Sequence, residues 1–227
     1  MRTAQVLFSD PAHSPAPPPL PAQARVARRS SARLPTRYGL FTAHAYAGQS
    51  GGRELLALCM GDATQHPRPL VRVHSECLTG DVFGSLRCDC RAQLEAALIQ
   101  IRDERCGVLV YMSGHEGRGI GLVDKLRAYA LQDMGCDTVQ ANVELNLPVD
   151  ARDYCAAAHI LDDLGIARLR LMTNNPDKCE ALSQHGLDVE RVALVTPPGA
   201  DNARYLHAKQ RYLGHLLGMP AQPDQQD

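Results

Sequence analysis

Residues 69–112 read PLVRVHSECLTGDVFGSLRCDCRAQLEAALIQIRDERCGVLVYM. The run 69–76 alternates Val71 and Val73 with Arg72 and His74, the period of a strand. Residues 90–105 set Leu94, Leu98 and Ile101 on one helical face. The six residues GVLVYM (107–112) are apolar throughout, as in a buried strand. Strand, helix and strand in that order predict a mixed α/β domain.

The pattern continues downstream. SGHEGRGIG (113–121) is a glycine-rich loop, and residues 122–135 predict a helix that Gly135 closes. Residues 150–165 predict another, with Asp150 as N-cap and Gly165 at its end. A strand is expected at 168–173. A helix at 174–186 has Asn175 as cap and Pro176 in its first position. A strand at 189–195 and an amphipathic helix at 202–218 close the domain. Upstream, 34–46 and 54–61 read as strands joined by AGQSGG. The expectation is one domain over 34–217, β-rich at its start, then alternating strands and helices. Residues 1–33, rich in Pro, Ala and Arg without periodicity, predict a disordered arm. Residues 218–227 predict a flexible tail.

At 227 residues and 44% apolar content the chain can bury a sizeable core. No run approaches the roughly 18–20 apolar residues of a membrane helix, so no membrane partner is expected. The net charge of −1 gives no global case for nucleic acid, so any anion must be held by local cations. Five of the eight cysteines (Cys59, Cys106, Cys136, Cys155 and Cys179) are scattered and read as small buried hydrophobes. With no apolar leader, a reducing, cytoplasmic setting is expected.

The other three, Cys77 and the pair Cys88-x-Cys90, crowd one loop. Three thiolates can hold Zn²⁺ and leave a fourth position for water, the mark of a catalytic site. A structural site needs a fourth ligand, and His74 is the nearest candidate. The spacing alone admits both readings, and a fortuitous cluster besides. The loop at 114–122 has the glycines and the strand-to-helix context of an anion cradle, but it also reads as a tight turn. It is neither a P-loop nor a dinucleotide fingerprint. Arg72, Arg118, Arg152 and Lys178 are the cations available for phosphate.

RVHSECLTGD, SLRCDC, QLEAAL, EGRGIGL, ARDY and LMTNNP-x-K together resemble GTP cyclohydrolase II, in order, from about Leu34 to Leu217. The resemblance implies zinc-dependent hydrolysis of GTP to 2,5-diamino-6-ribosylamino-4(3H)-pyrimidinone 5′-phosphate, formate and pyrophosphate, the first step of riboflavin biosynthesis. It also implies one zinc per subunit, magnesium on the phosphates and a homodimer. By motif, Cys77, Cys88 and Cys90 become zinc ligands. Arg72, Val73, His74, Ser75, Glu76, Gln93, Glu116, Gly117, Arg118, Thr138, Thr173 and Lys178 fall on substrate-binding positions. Asp150 matches the proton acceptor, and Arg152 the group facing the α-phosphorus as nucleophile or clamp. Tyr129 falls near the imidazole end of the base.

Three positions depart from the family's habit: Ser113 stands where Arg is common, Arg91 where Gly is, and Ala208 where Thr is. They leave room for a paralogue acting on a related purine nucleotide or stopping at the formylated intermediate. A zinc-stabilised GTP-binding protein without turnover is the remaining alternative.

Overall fold

The computed structural model describes residues 26–48, 53–136 and 138–220; the side chains of Thr138 and Val139 lie outside the described residues. One seven-stranded sheet runs through the domain in the order β1-β2-β3-β5-β4-β6-β7. β1 (Val26–Thr36), β2 (Gly39–Gly48) and β3 (Glu54–Met60) form an antiparallel meander that joins β5 (Gly107–Met112). β5, β4 (Leu70–Ser75), β6 (Arg168–Met172) and β7 (Asp188–Val192) are parallel. This is the expected β-rich start followed by alternating strands and helices.

Successive residues of a strand face opposite sides of a sheet, and each side is covered. Val71, Val73, Val108 and Val110 pack on one side with Ile160 and Leu161 of α4 (Cys155–Asp163) and Leu182 of α5 (Pro176–Gln184). Leu70 and Leu109 pack on the other with Leu98 and Ile101 of α1 (Cys90–Glu104). Burying each such side chain stabilises the fold by about 1.5–3 kcal/mol. On the α1 side, β4 continues from Leu70 to Arg72 and His74, both buried. The strand therefore changes from apolar to cationic toward its carboxyl end.

Several expectations are corrected. Residues 26–33, expected in the arm, are the first part of β1. That edge strand is exposed from Arg28 to Pro35, so it carries no apolar alternation to read. Its order comes from the β2 ladder and from Arg28, which pairs with Asp163 at 2.6 Å. The single strand expected at 34–46 is broken by a hairpin turn at Arg37-Tyr38, where Thr36 Oγ1 accepts the Tyr38 N–H at 3.1 Å. The AGQSGG turn lies partly, and residues 1–25 and 221–227 wholly, outside the described residues. α2 (Leu122–Asp133) was expected; α3 (Thr138–Glu144) was not.

The helix expected from Asp150 begins only at Cys155, whose N–H is capped by Asp153 at 2.8 Å. Residues 150–154 are irregular, which frees Arg152 from a helix surface. α6 (Ala203–Tyr212) is shorter than expected, and Met219, placed in the tail, donates its N–H to Gln210 at 2.9 Å. Among the described residues no helix is long and apolar enough to cross a membrane.

Candidate active site

The carboxyl ends of β4, β5 and β6 open onto two adjoining crevices, the usual place for a ligand in an open α/β sheet. After β4 the chain makes a tight turn, Leu78–Val82, that brings Cys77 back against Cys88 and Cys90. Their sulfurs lie within 4.8 Å of one another, with Cys77 and Cys88 3.7 Å apart. Among the described residues no fourth His, Cys, Asp or Glu joins that group. His74 is committed elsewhere: its Nε2 lies 3.0 Å from Asp81 Oδ2. Asp81 also accepts the Tyr111 hydroxyl at 2.9 Å and the Cys77 N–H at 3.0 Å, which fixes the turn.

Gly80 sits under the sulfurs. A Cβ there would stand 2.8 Å from Cys88 Sγ and 3.1 Å from Cys77 Sγ. Gly80→Ala is therefore expected to spread the thiols and weaken zinc affinity roughly 10–100-fold, the scale of losing support around a metal site. A competition titration with a chromogenic chelator checks this.

Lys125, on α2, is buried against the same cluster, 3.1 Å from Cys77 Sγ and paired with Glu116. Hydrogen bonds from Cys88 and Cys90, aided by Lys125, pull the Cys77 thiol well below its ordinary pKa. Cys88 is correspondingly pushed up to about 11 and Cys90 well above its ordinary value, because one negative charge is shared among three sulfurs. A divalent cation would relieve that conflict, so the donor set fits zinc. Glu116 uses its second oxygen to accept the Leu78 N–H at 2.6 Å. Lys125→Met would leave this carboxylate buried and unpaired. The expected loss is about 3–5 kcal/mol, read as a lower urea midpoint at unchanged m-value.

The second crevice is cationic. Arg72, Arg118, Arg152, Lys178 and Lys209 converge on it with His74 and His215. Burial, followed by repulsion from Arg72, Arg152 and Lys209, pushes Lys178 well below its ordinary pKa. Burial likewise lowers Arg72 to about 10. The loop supplying Arg118 holds both Gly117 and Arg118 at positive φ (58° and 62°). The Arg118 carbonyl accepts the Ala151 N–H at 2.9 Å, which docks this loop on the segment bearing Asp150 and Arg152. Burial pushes Asp150 upward, but its bonds with Arg152 outweigh that and hold it below the usual carboxylate range. The same pairing keeps Arg152 raised despite its burial. Among the described residues, four buried polar atoms have no protein partner: Arg72 Nε, His74 Nδ1, Arg118 Nη2 and Tyr154 OH. Such groups are costly unless something binds them.

Of the residues singled out from sequence, Ser75, Glu76, Gly117, Arg118, Tyr129 and Arg152 line the first crevice with the three cysteines. Arg72, His74, Gln93, Thr173 and Lys178 line the second. Tyr129 lies between Lys125 and Arg87, 5.6 and 4.9 Å from its ring, and burial pushes its hydroxyl up to about 12. Three positions differ from a direct contact. The Val73 side chain is in the core, and its carbonyl accepts from Lys178 at 2.7 Å. Glu116 turns to the cysteine turn, and Asp150 reaches the site through Arg152. The Thr138 side chain lies outside the described residues.

Sequence reasoning gave no role to Lys125, His115, Tyr205, Lys209 and His215, although all line the crevices. The departures are accommodated: Ser113 donates to the Glu54 carbonyl, Arg91 pairs with Glu95 at the surface, and Ala208 is buried.

The GTP cyclohydrolase II family model matches residues 27–193. The "Riboflavin biosynthesis protein RibBA" of Salinispora tropica is 56% identical over 190 residues, covering 83% of this chain and 48% of that protein. That of Aquifex aeolicus is 53% identical over 193 residues, covering 85% and 48%. The "Monofunctional riboflavin biosynthesis protein RIBA 3, chloroplastic" of Arabidopsis thaliana is 53% identical over 192 residues, covering 84% and 38%. The chain thus spans about half the length of these relatives or less. A family match that begins in β1 and runs through β7, taking in the thiol turn and all the cations of the second crevice except Lys209, leaves one conclusion: the chain belongs to the GTP cyclohydrolase II family.

Proposed function

We propose that the chain hydrolyses GTP to 2,5-diamino-6-ribosylamino-4(3H)-pyrimidinone 5′-phosphate, formate and pyrophosphate, serving riboflavin biosynthesis. The observation that carries this is the adjacency of three thiols to a cationic crevice, three of whose lining residues, Arg72, His74 and Arg118, each hold a buried polar atom without a protein partner. That pairing suits a ligand with an electrophilic ring at one end and a polyphosphate at the other. Cys77, Cys88 and Cys90 would hold one zinc ion. Zinc, when bound, supplies Lewis acidity and activates water at neutral pH, the chemistry that opening the guanine ring at C8 and releasing formate requires.

The chain's own residues do the rest. Arg118, Arg152 and Lys178 bind the phosphates and offset charge on departing pyrophosphate, with magnesium carried by the substrate. Tyr129 stands at the thiol end, where it orients the base. Asp150 keeps Arg152 protonated and aimed, and accepts a proton as water attacks. Because that pairing raises the Arg152 pKa, the guanidinium has no free lone pair, and we assign it as a clamp on the α-phosphate. The working form is taken to be a cytoplasmic homodimer, a setting in which the thiols stay reduced.

Incubating the zinc-loaded chain with GTP and Mg²⁺ tests this. Formate and pyrophosphate released in equal amounts support it. Pyrophosphate without formate, or binding with neither product, overturns it.

A further inference from the structure

The two crevices share a boundary that includes Cys90, Arg118, Arg152 and one aromatic ring, Tyr205 of α6. The thiols lie on one side of it and most of the cations on the other. We propose that Tyr205 is a nucleoside-contacting residue, packing its ring against the ligand where base and ribose meet. This rests on the nucleotide reading above. A ligand with its base at the sulfurs and its phosphates at Lys178 must cross that boundary.

The ring is held in place rather than left on a loose surface helix. Lys209, one turn further along α6, lies 4.4 Å from the ring centroid, and Arg118 lies 5.8 Å from it. Lys209 pairs at 2.9 Å with Asp89, the residue between Cys88 and Cys90, and the Lys209 and Asp89 side chains are only 10% and 2% exposed. One buried ion pair therefore ties the helix bearing Tyr205 to the thiol loop.

The test compares Tyr205→Ala and Tyr205→Phe in the zinc-loaded chain with Mg²⁺ in excess. It reads KM for GTP beside the inhibition constant of pyrophosphate, which needs only the cationic crevice. Tyr205→Ala is expected to raise KM tenfold or more and leave pyrophosphate inhibition within about twofold, as loss of an aromatic stacking contact would. Tyr205→Phe is expected to match the parent in both. An unchanged KM in Tyr205→Ala overturns the proposal. So does a parallel weakening of both ligands, which would mean that α6 had shifted. If the parent protein neither turns over GTP nor responds to pyrophosphate, the nucleotide reading itself fails and takes this inference with it.

Discussion

Cys88→Ser is expected to cut formate release at least about 1,000-fold while the protein stays folded. Serine nearly conserves volume, but its hydroxyl stays protonated at neutral pH and is a poor partner for a borderline-soft cation. Two sulfurs remain, and the zinc retained after loading should fall to less than a tenth of the parent's. The fold should survive because the strands and helix around the loop are secured elsewhere. Ile101 and Leu98 of α1 pack on Leu70 and Leu109 regardless of what the thiols hold. Circular dichroism and the thermal midpoint check the fold, and atomic absorption checks the metal. The cationic crevice is untouched in this variant, so pyrophosphate should still inhibit the residual activity. Full formate release by Cys88→Ser would sink the assignment of the thiols to a metal.

Features with local causes were the ones legible in the sequence. Alternation in β4 and the apolar run of β5 gave their positions, and Asn175-Pro176 marked the start of α5, where Asn175 Oδ1 accepts the Asp177 N–H at 3.1 Å. The first part of β1, residues 26–33, was missed because an exposed edge strand has no buried side to impose a pattern, so its order comes from pairing with β2. At 150–154 the misreading was of context. An acid before an apolar run is the usual sign of a cap, but here Asp150 binds Arg152, and the helix starts after Tyr154 with Asp153 accepting the Cys155 N–H. Lys125 and Lys209 were given no role in the sequence reading for a different reason. Each is a lone lysine on a helix, most often a solvated charge, and only the fold shows that both are buried against the cysteine loop.

Removing the other half of the site should have the opposite chemical signature. Arg152→Ala is expected to lower pyrophosphate release about 1,000-fold, the scale set by arginines that stabilise transferring phosphoryl groups. Formate release should stay within about tenfold, because the thiols and Tyr129 remain in place. Stability should change little: Asp150 is 35% exposed, so water can solvate the carboxylate that Arg152 leaves behind. Arg152→Lys discriminates the role. A clamp needs positive charge and hydrogen bonds, so lysine should recover roughly a tenth of the lost rate, short of full recovery because it lacks the planar fork. If instead Arg152 attacks phosphorus, intact-mass measurement on the parent during turnover should find a nucleotidyl adduct on that residue. The protein's electrostatics argue against the adduct. Its formation needs a neutral guanidinium, and the neighbouring Asp150 carboxylate makes that proton harder, not easier, to remove.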